Sequence, residues 1–385
     1  MPNKTLEKWE ECKICDCCEV YQPQTISTKE MVENGAYPVF GANGQIGKYD
    51  NYNHEDVEVL VTCRGATCGS INMSLPKSWI NGNAMVISPK KNDIDKIYLF
   101  YFLKNVDFSN YISGAAQPQI TRVGLSPLVI KYPDLSEQQR IIGILDETFE
   151  NIEKAKQNAL QNLNNAKELF ENKSNNVFQN LLNNSSKTKM SDISDLITKG
   201  ASPKWQGFEY CERSDDSILF ITSENVGKEE ILLNNRKYLS KDFNDKQRRS
   251  ILEKGDILTN IVGASIGRTA IFDLEDLCNI NQAVCLIRLK DKQCAKYITK
   301  YMNSHIAIEA MTGMIKDCAR ANVSLTNVAD LYVPFPDSEE QQKIVAQLDE
   351  LHEQTKRLEQ IYEQKIKDLD ELKQSILQKA FNGEL

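Results

Sequence analysis

The chain has 385 residues, 41% of them hydrophobic, and no apolar run approaching the 18 residues of a membrane span, so no membrane association is expected. A formal net charge of −8 excludes a uniformly basic nucleic-acid coat, and the length suits two or three domains. The first residues, from Met1 to Lys8, lack the apolar segment of a signal peptide, so eleven cysteines read as reduced thiols of a cytoplasmic protein rather than as a disulfide framework.

Residues 1–135 alternate short apolar runs with turns, and the spacing predicts a mixed α/β globule. Tyr37-Pro38-Val39-Phe40-Gly41-Ala42-Asn43-Gly44 carries the Asn-Gly signal of a tight hairpin. A strand from Asp56 to Cys63 enters the core, followed by the glycine-rich turn Gly65-Ala66-Thr67-Cys68-Gly69-Ser70. A strand near Ala84–Ile87, a helix near Ile97–Leu103 and a loop from Gly114 to Arg122 complete the block.

Residues 136–186 then read as one long helix. Ser136 and Gln139 have capping-box spacing, and Ile142, Leu145, Phe149, Ile152, Ala159, Leu163, Ala166 and Phe170 alternate three and four apart, as a heptad seam does. A length of roughly 70 Å follows from 1.5 Å per residue.

The plan repeats. Residues 187–335 rerun the first block, with Lys189-Met190-Ser191-Asp192-Ile193 opposite Lys13-Ile14-Cys15-Asp16-Cys17 and Gly263-Ala264-Ser265-Ile266-Gly267-Arg268 echoing the first glycine-rich turn. Extra length enters around 207–244. Residues 336–385 are a second long helix, and 133–150 match 336–353 at ten of eighteen positions with a constant shift of 203. Its cap is Asp337 or Ser338, and its seam reads as Leu348, Leu351, Leu358, Tyr362, Leu369, Leu372 and Ile376. The expected fold class is therefore α+β, with two globular α/β domains separated by two long antiparallel helices in a pseudo-twofold repeat. The competing arrangement packs each stripe on its own globule.

The sequence carries no recognisable catalytic or metal-binding pattern. Cys12-x-x-Cys15-x-Cys17-Cys18 is too crowded for a four-thiolate zinc site, and the repeat puts Ser191, Ile193 and Ser194 opposite its last three cysteines. Gly41-x-x-Gly44-x-x-Gly47-Lys48 departs from a phosphate loop, with Tyr49 where Ser or Thr would hold magnesium. Neither a dinucleotide-binding glycine motif nor a motif for amino-methyl transfer is present, and His54, His305 and His352 have no triad or metal setting.

Binding chemistry remains. Residues 1–135 and 189–335 are near neutral, which permits a locally basic face, and the largest acidic excess lies on the last helix. Arg, Asn and Gln pair with guanine and adenine edges, which marks Arg64, Gln117, Gln119 and Arg122 in the first block. In the second block the candidates are Asn260, Arg268, Lys316, Arg320 and Asn322. Each also reads as an ordinary surface residue, and Lys246-x-Arg248-Arg249 reads as a solvated run.

Two blocks, each followed by a helix opening Pro-Asp-x-x-Glu-Gln-Gln-[Arg/Lys]-Ile, resemble the specificity subunit of type I restriction-modification enzymes. Tyr37–Gly44, Leu219–Val226, Gln282-Ala283-Val284 and the ending Lys379–Leu385 are similar to patterns of that family, in the same order. The resemblance implies a non-catalytic subunit whose two target-recognition domains read the halves of a bipartite double-stranded DNA target. It also implies that the helices set the unread gap and dock two methylation subunits, with Gln138, Gln139, Gln341 and Gln342 in the docking framework. Motor-nuclease subunits would join through the methylation subunits. S-adenosylmethionine, ATP and magnesium would then belong to those partners, and this chain would hold no cofactor. The rival reading is a coiled-coil scaffold with two ligand-binding heads and no DNA role.

Overall fold

The computed structural model describes residues 9–41, 43–114, 117–313 and 322–385. The chain forms two compact units: unit 1 is Met1–Leu160 with Glu363–Leu385, and unit 2 is Gln161–Tyr362.

Unit 1 runs β1 (Glu10–Lys13), α1 (Ile14–Cys17), β2 (Cys18–Tyr21), β3 (Tyr37–Gly41), β4 (Gly44–Tyr49), β5 (Val59–Thr62), β6 (Ile71–Met73), β7 (Trp79–Ile80), β8 (Ala84–Pro89), α2 (Lys96–Lys104), α3 (Arg122–Leu125) and β9 (Val129–Tyr132). It then enters α4 (Leu135–Asn184). Its sheets are β2-β8-β5-β6, β4-β3-β7 and the pair β1-β9. The Asn-Gly hairpin forms as expected, with Gly41 opposite Gly44. Strand β5 is buried throughout, and apolar from Val59 to Val61, because both its faces are covered. Val59 and Val61 join the main core with Met85, Ile87 and Tyr98, whereas Leu60 packs with Phe40, Ile80 and Val86.

Unit 2 repeats the order as β10 (Lys187–Lys189), α5 (Met190–Ile193), β11 (Ser194–Lys199), β12 (Ser217–Ile221), β13 (Lys237–Ser240), α6 (Asp242–Lys246), β14 (Ile257–Asn260), β15 (Thr269–Ile271), β16 (Cys278–Ile280), β17 (Val284–Leu289), α7 (Ala295–Met302), α8 (His305–Thr312), α9 (Leu325–Ala329), β18 (Tyr332–Pro334) and α10 (Ser338–Phe381). Its sheets, β11-β17-β14-β15, β13-β12-β16 and β10-β18, match those of unit 1 strand for strand. Each unit even keeps one parallel pair, β3 with β7 and β12 with β16. The α+β class and the internal repeat are those expected from the sequence.

The long helices run antiparallel within each unit. In unit 1, Arg140 Nη2 donates to the Leu385 carbonyl at 2.9 Å and Lys156 Nζ to Asp370 Oδ1 at 2.6 Å. In unit 2, the rings of Phe170 and His352 lie 5.1 Å apart, and Phe178 shares a core with Ile344 and Leu348. The seam of α4 is as expected: Leu145, Ala159 and Ala166 are at most 4% exposed, and Ile142, Phe149, Ile152 and Leu163 are buried.

Matched contacts hold α2 and α7 to the last strand of each block and to a long helix. The Tyr98 hydroxyl donates to the Lys131 carbonyl at 2.8 Å, and the Tyr297 hydroxyl to the Pro334 carbonyl at 2.8 Å. Phe381 packs edge-on against Tyr98 in unit 1, as Phe178 does against Tyr297 in unit 2. Phe178 and Phe381 are 203 residues apart, so this part of each joint follows the helix repeat.

Several local expectations are corrected. Helix α4 is capped by Asp134, whose Oδ1 accepts from the Glu137 N–H at 3.0 Å, rather than by Ser136, because the helix begins one residue before Ser136. Of the two caps expected for α10, Asp337 is the one used, accepting from the Glu340 N–H at 2.9 Å. The α10 seam is as expected at Leu348, Tyr362, Leu369 and Ile376, but Leu358 and Leu372 face outward and Glu359, Ile366 and Lys373 take the intervening inward places at three-four spacing. The expectation that all thiols are reduced also fails, since a disulfide joins Cys12 to Cys17. The single turn of α1 brings their Cα atoms to 6.2 Å, within disulfide range.

Candidate nucleic-acid interface

In unit 1, β5 leads into the turn from Cys63 to Ser70. The Gly69 N–H donates back to the Thr62 carbonyl at 2.8 Å, and a side chain at Gly69, whose φ is +92°, would meet Phe108 Cβ at 2.9 Å. The segment ending at Ile120 lies alongside: the Ile120 N–H donates to the Cys63 carbonyl at 3.0 Å and the Gly65 N–H to the Pro118 carbonyl at 3.2 Å. This sets exposed Arg64 directly opposite exposed Gln119 in an antiparallel bridge. Directly opposed side chains are near neighbours, so a guanidinium fork and an amide sit side by side. Thr67 Oγ1 donates to Asn43 Oδ1 at 2.6 Å, tying the hairpin tip to the same turn. Gln117 is exposed in the adjoining strand-like segment, and Arg122 is exposed on α3, whose N-cap Thr121 accepts from the Gly124 N–H. The turn's thiol, Cys68, is pushed up by burial, which favours the neutral thiol over the nucleophilic thiolate.

Unit 2 builds the equivalent turn from Ile261 to Arg268. The Gly267 N–H donates to the Asn260 carbonyl at 3.0 Å and the Val323 N–H to the Ile261 carbonyl at 2.9 Å. Val262 therefore takes the place of Arg64 and bridges to Asn322, which takes the place of Gln119. Arg268 and Asn322 are exposed. Asn260 does not belong with them. It is 1% exposed at the end of a strand buried on both faces, and its Nδ2 donates to the Ser223 carbonyl at 2.9 Å. It holds the Ser223–Val226 loop and cannot reach a base edge. Lys316 and Arg320 lie outside the described residues.

Sequence reasoning missed Asn43, Thr67 and Val262. A tighter alignment of the repeat, at shift 198, would have set Val262 against Arg64. Chemically, an Arg–Gln pair can address guanine and adenine edges, whereas a Val–Asn pair offers an apolar contact for a thymine methyl and an amide for adenine. The two turns share a backbone and differ in what they present.

The four glutamines divide into two kinds. Gln138 is fully buried: its Oε1 accepts from the Asp95 N–H, and its Nε2 donates to the Asp93 and Pro133 carbonyls, all at 2.8 Å. Its amide joins block to helix and has no access to a partner surface. Gln341 is 7% exposed and donates to the Pro336 carbonyl at 2.9 Å. Gln139 and Gln342 are exposed. Also exposed are Leu169 on α4 and Leu372 on α10, at 39% and 47%, which occupy equivalent places 203 residues apart.

In unit 2 the joint between block and helices leaves a groove of about 770 Å³, lined among others by Ser174, Lys300, His352 and Thr355. Lys300, 5% exposed, is held there by Glu229 at 2.8 Å and Asp349 at 2.5 Å. Burial lowers its pKa but the two carboxylates raise it more, so the net displacement is upward. Among the described residues, no group of three or more His, Cys, Asp or Glu could hold a metal ion, and no helix is long and apolar enough to cross a membrane.

A model of the type I restriction modification DNA specificity domain matches residues 6–162 and 184–368. The type I restriction enzyme EcoBI specificity subunit of Escherichia coli is 32% identical over 171 residues, spanning 44% of this chain and 36% of that protein. The type I restriction enzyme MjaVIII specificity subunit of Methanocaldococcus jannaschii is 24% identical over 379 residues, covering 89% of this chain and 85% of that one. Among solved structures, a chain from a study of complex assembly and conformational transition in the type I R-M system superposes with a TM-score of 0.73 at 17% identity over the full length of both. The HsdS subunit from Thermoanaerobacter tengcongensis superposes with a TM-score of 0.63 at 17% identity, over 100% of this chain and 99% of that one. With the repeated fold and these matches together, the chain belongs to the type I restriction modification DNA specificity domain family.

Proposed function

We propose that this chain is the non-catalytic, sequence-reading subunit of a type I restriction-modification enzyme, in which each unit reads one half of a bipartite DNA duplex. The observation that carries this reading is the repeated turn with unequal side chains: Arg64 beside Gln119 in unit 1, Val262 beside Asn322 in unit 2. A common scaffold with different presented chemistry suits two different half-sites. Two methylation subunits dock on α4 and α10, where Leu169 and Leu372 offer equivalent exposed apolar contacts, and motor-nuclease subunits join through them. S-adenosylmethionine, ATP and magnesium are held by those partners.

The test is the methylated motif in cells expressing the assembled complex. Arg64→Ala relaxes one half-site and Arg268→Ala the other, each leaving its opposite half intact. The isolated chain binds the motif duplex weakly and gains affinity once methylation subunits are added. A motif unchanged by both substitutions, or full specific affinity of the chain alone, overturns the proposal. Failure of the complex to bind DNA at any salt concentration would favour the scaffold reading.

A further inference from the structure

Trp205 is 88% exposed, the highest value among the exposed large hydrophobic side chains of the described residues. Its turn, Lys204–Gln206, is well fixed. Pro203 is buried, its carbonyl accepts from the N–H groups of Gln206 and Phe208 at 2.9 Å each, and Gly207 closes the turn at a φ of +81°. Phe208 packs edge-on against Phe243 at 5.3 Å, and Lys246 Nζ donates to the Gln206 carbonyl at 3.2 Å. The backbone is thus anchored on its inner side while the indole stands in solvent, an arrangement that removes a large apolar side chain from any core.

The sheet places this turn beside the candidate reading surface. Lys199, the last residue of β11, and Thr259 of β14 both pair with Cys285 of β17, so β11 and β14 are parallel and end at the same edge. Gly200 leaves β11 so closely against β16 that a side chain there would lie 1.7 Å from the Ile280 carbonyl oxygen. The 200–208 segment and the turn from Ile261 to Arg268 therefore leave the sheet from one edge. Lys204, Lys246, Arg248 and Arg249 are exposed on the turn and on the segment packed against it, beside the acidic Glu209, Asp242 and Asp245, the last lying 3.8 Å from Arg248 in an exposed pair. Cations flanking a fixed aromatic suit a polyanionic duplex whose major groove carries apolar thymine methyl groups.

We infer that Trp205 contacts DNA in the half-site read by unit 2, setting its indole against the apolar groove edge of a base, a thymine methyl, while Lys204, Arg248 and Arg249 hold the adjoining phosphates. This rests on the DNA-reading proposal above and adds a specificity residue to it. The corresponding connection in unit 1, residues 22–36, contains no aromatic residue, so the effect is confined to one half-site.

The test uses the complex of this chain with its methylation subunits and a duplex carrying the motif read from methylated genomic DNA. Trp205→Ala weakens binding roughly tenfold and relaxes the half-site that Arg268→Ala also affects, whereas Trp205→Phe keeps most of the affinity. Quenching of tryptophan emission by the duplex, present in the native complex, drops in Trp205→Phe, where Trp9 and Trp79 remain. Unchanged affinity and motif in Trp205→Ala overturn the inference while leaving the DNA-reading proposal standing. Loss of methylation subunits from the purified Trp205→Ala complex overturns it in favour of a protein contact. A native complex that binds the duplex without sequence preference overturns both.

Discussion

Replacing Gln138 with Ala removes three hydrogen bonds from the joint between the unit 1 block and α4, and strands the Asp95 N–H and the Asp93 and Pro133 carbonyls. A buried polar group left without a partner costs about 1–3 kcal/mol, and water recovers part of that at the half-buried Asp93 and Asp95, so a total of about 3 kcal/mol is expected. For a unit of this size each kcal/mol moves the thermal midpoint by about 2–4 °C, giving a shift of roughly 6–12 °C in the transition of unit 1. Gln341 makes one such bond, to Pro336, and its replacement costs about 1 kcal/mol in unit 2. Exposed Gln139, which reaches Asp95 Oδ2 at 2.8 Å, costs less than about 0.5 kcal/mol. Calorimetry on the three Ala variants checks the order Gln138, Gln341, Gln139. Equal shifts for Gln138→Ala and Gln139→Ala would refute the assignment of Gln138 as a structural joint.

Tyr301 titrates in the alkaline range. Burial pushes its phenol up to about 12, so the folded state keeps a proton that the unfolded chain loses near 10; stability is intact below pH 10 and falls as pH rises toward 12. Tyr301→Phe flattens part of that fall and costs about 1 kcal/mol at pH 7 by deleting the 2.8 Å bond to the Tyr332 carbonyl, measurable as urea midpoints across pH. Lys300→Met leaves Glu229 and Asp349 facing each other and lowers unit 2 stability by about 2 kcal/mol, less than a fully buried orphaned charge because both carboxylates reach solvent. Maleimide labels exposed Cys211 first, whereas Cys18, Cys278 and Cys285, with thiols pushed up to about 12 by burial, resist until the protein unfolds; mass spectrometry of labelled peptides reads the order. Glu in place of Leu169 or Leu372 leaves the thermal midpoint nearly unchanged but reduces co-purification of the methylation subunits.

The repeat, the hairpin at Asn43-Gly44 and the α4 seam were legible because each is a local pattern with one reading. The α10 seam was legible only in part. That helix has few apolar residues, so two phases fit almost equally, and the phase is fixed by what α10 packs against rather than by its own composition. Hence Lys373, whose Nζ lies 5.0 Å from the centre of the Phe149 ring, points inward while Leu372 does not. Asn260, marked as a reader by residue type, and Gln138, marked for docking by the family resemblance, were misplaced for a related reason: both are buried where their strand or helix meets other backbone. The Arg64–Gln119 pairing was out of reach because it depends on a bridge between segments some fifty residues apart.

The groove in unit 2 has a consequence for how the molecule yields. At the corresponding joint of unit 1, Phe149, Ile152 and Leu377 pack with the core; the residues 203 away from them are His352, Thr355 and Ser174, which line open space. Prying α4 and α10 away from the block exposes apolar surface in both units, Phe178, Ile344 and Leu348 included, but in unit 2 part of the joint is polar and borders the groove, so less apolar contact is lost there. Amide hydrogens of α7 and of residues 344–352 should therefore exchange sooner than those of α2 and residues 141–149, making the second joint the softer hinge.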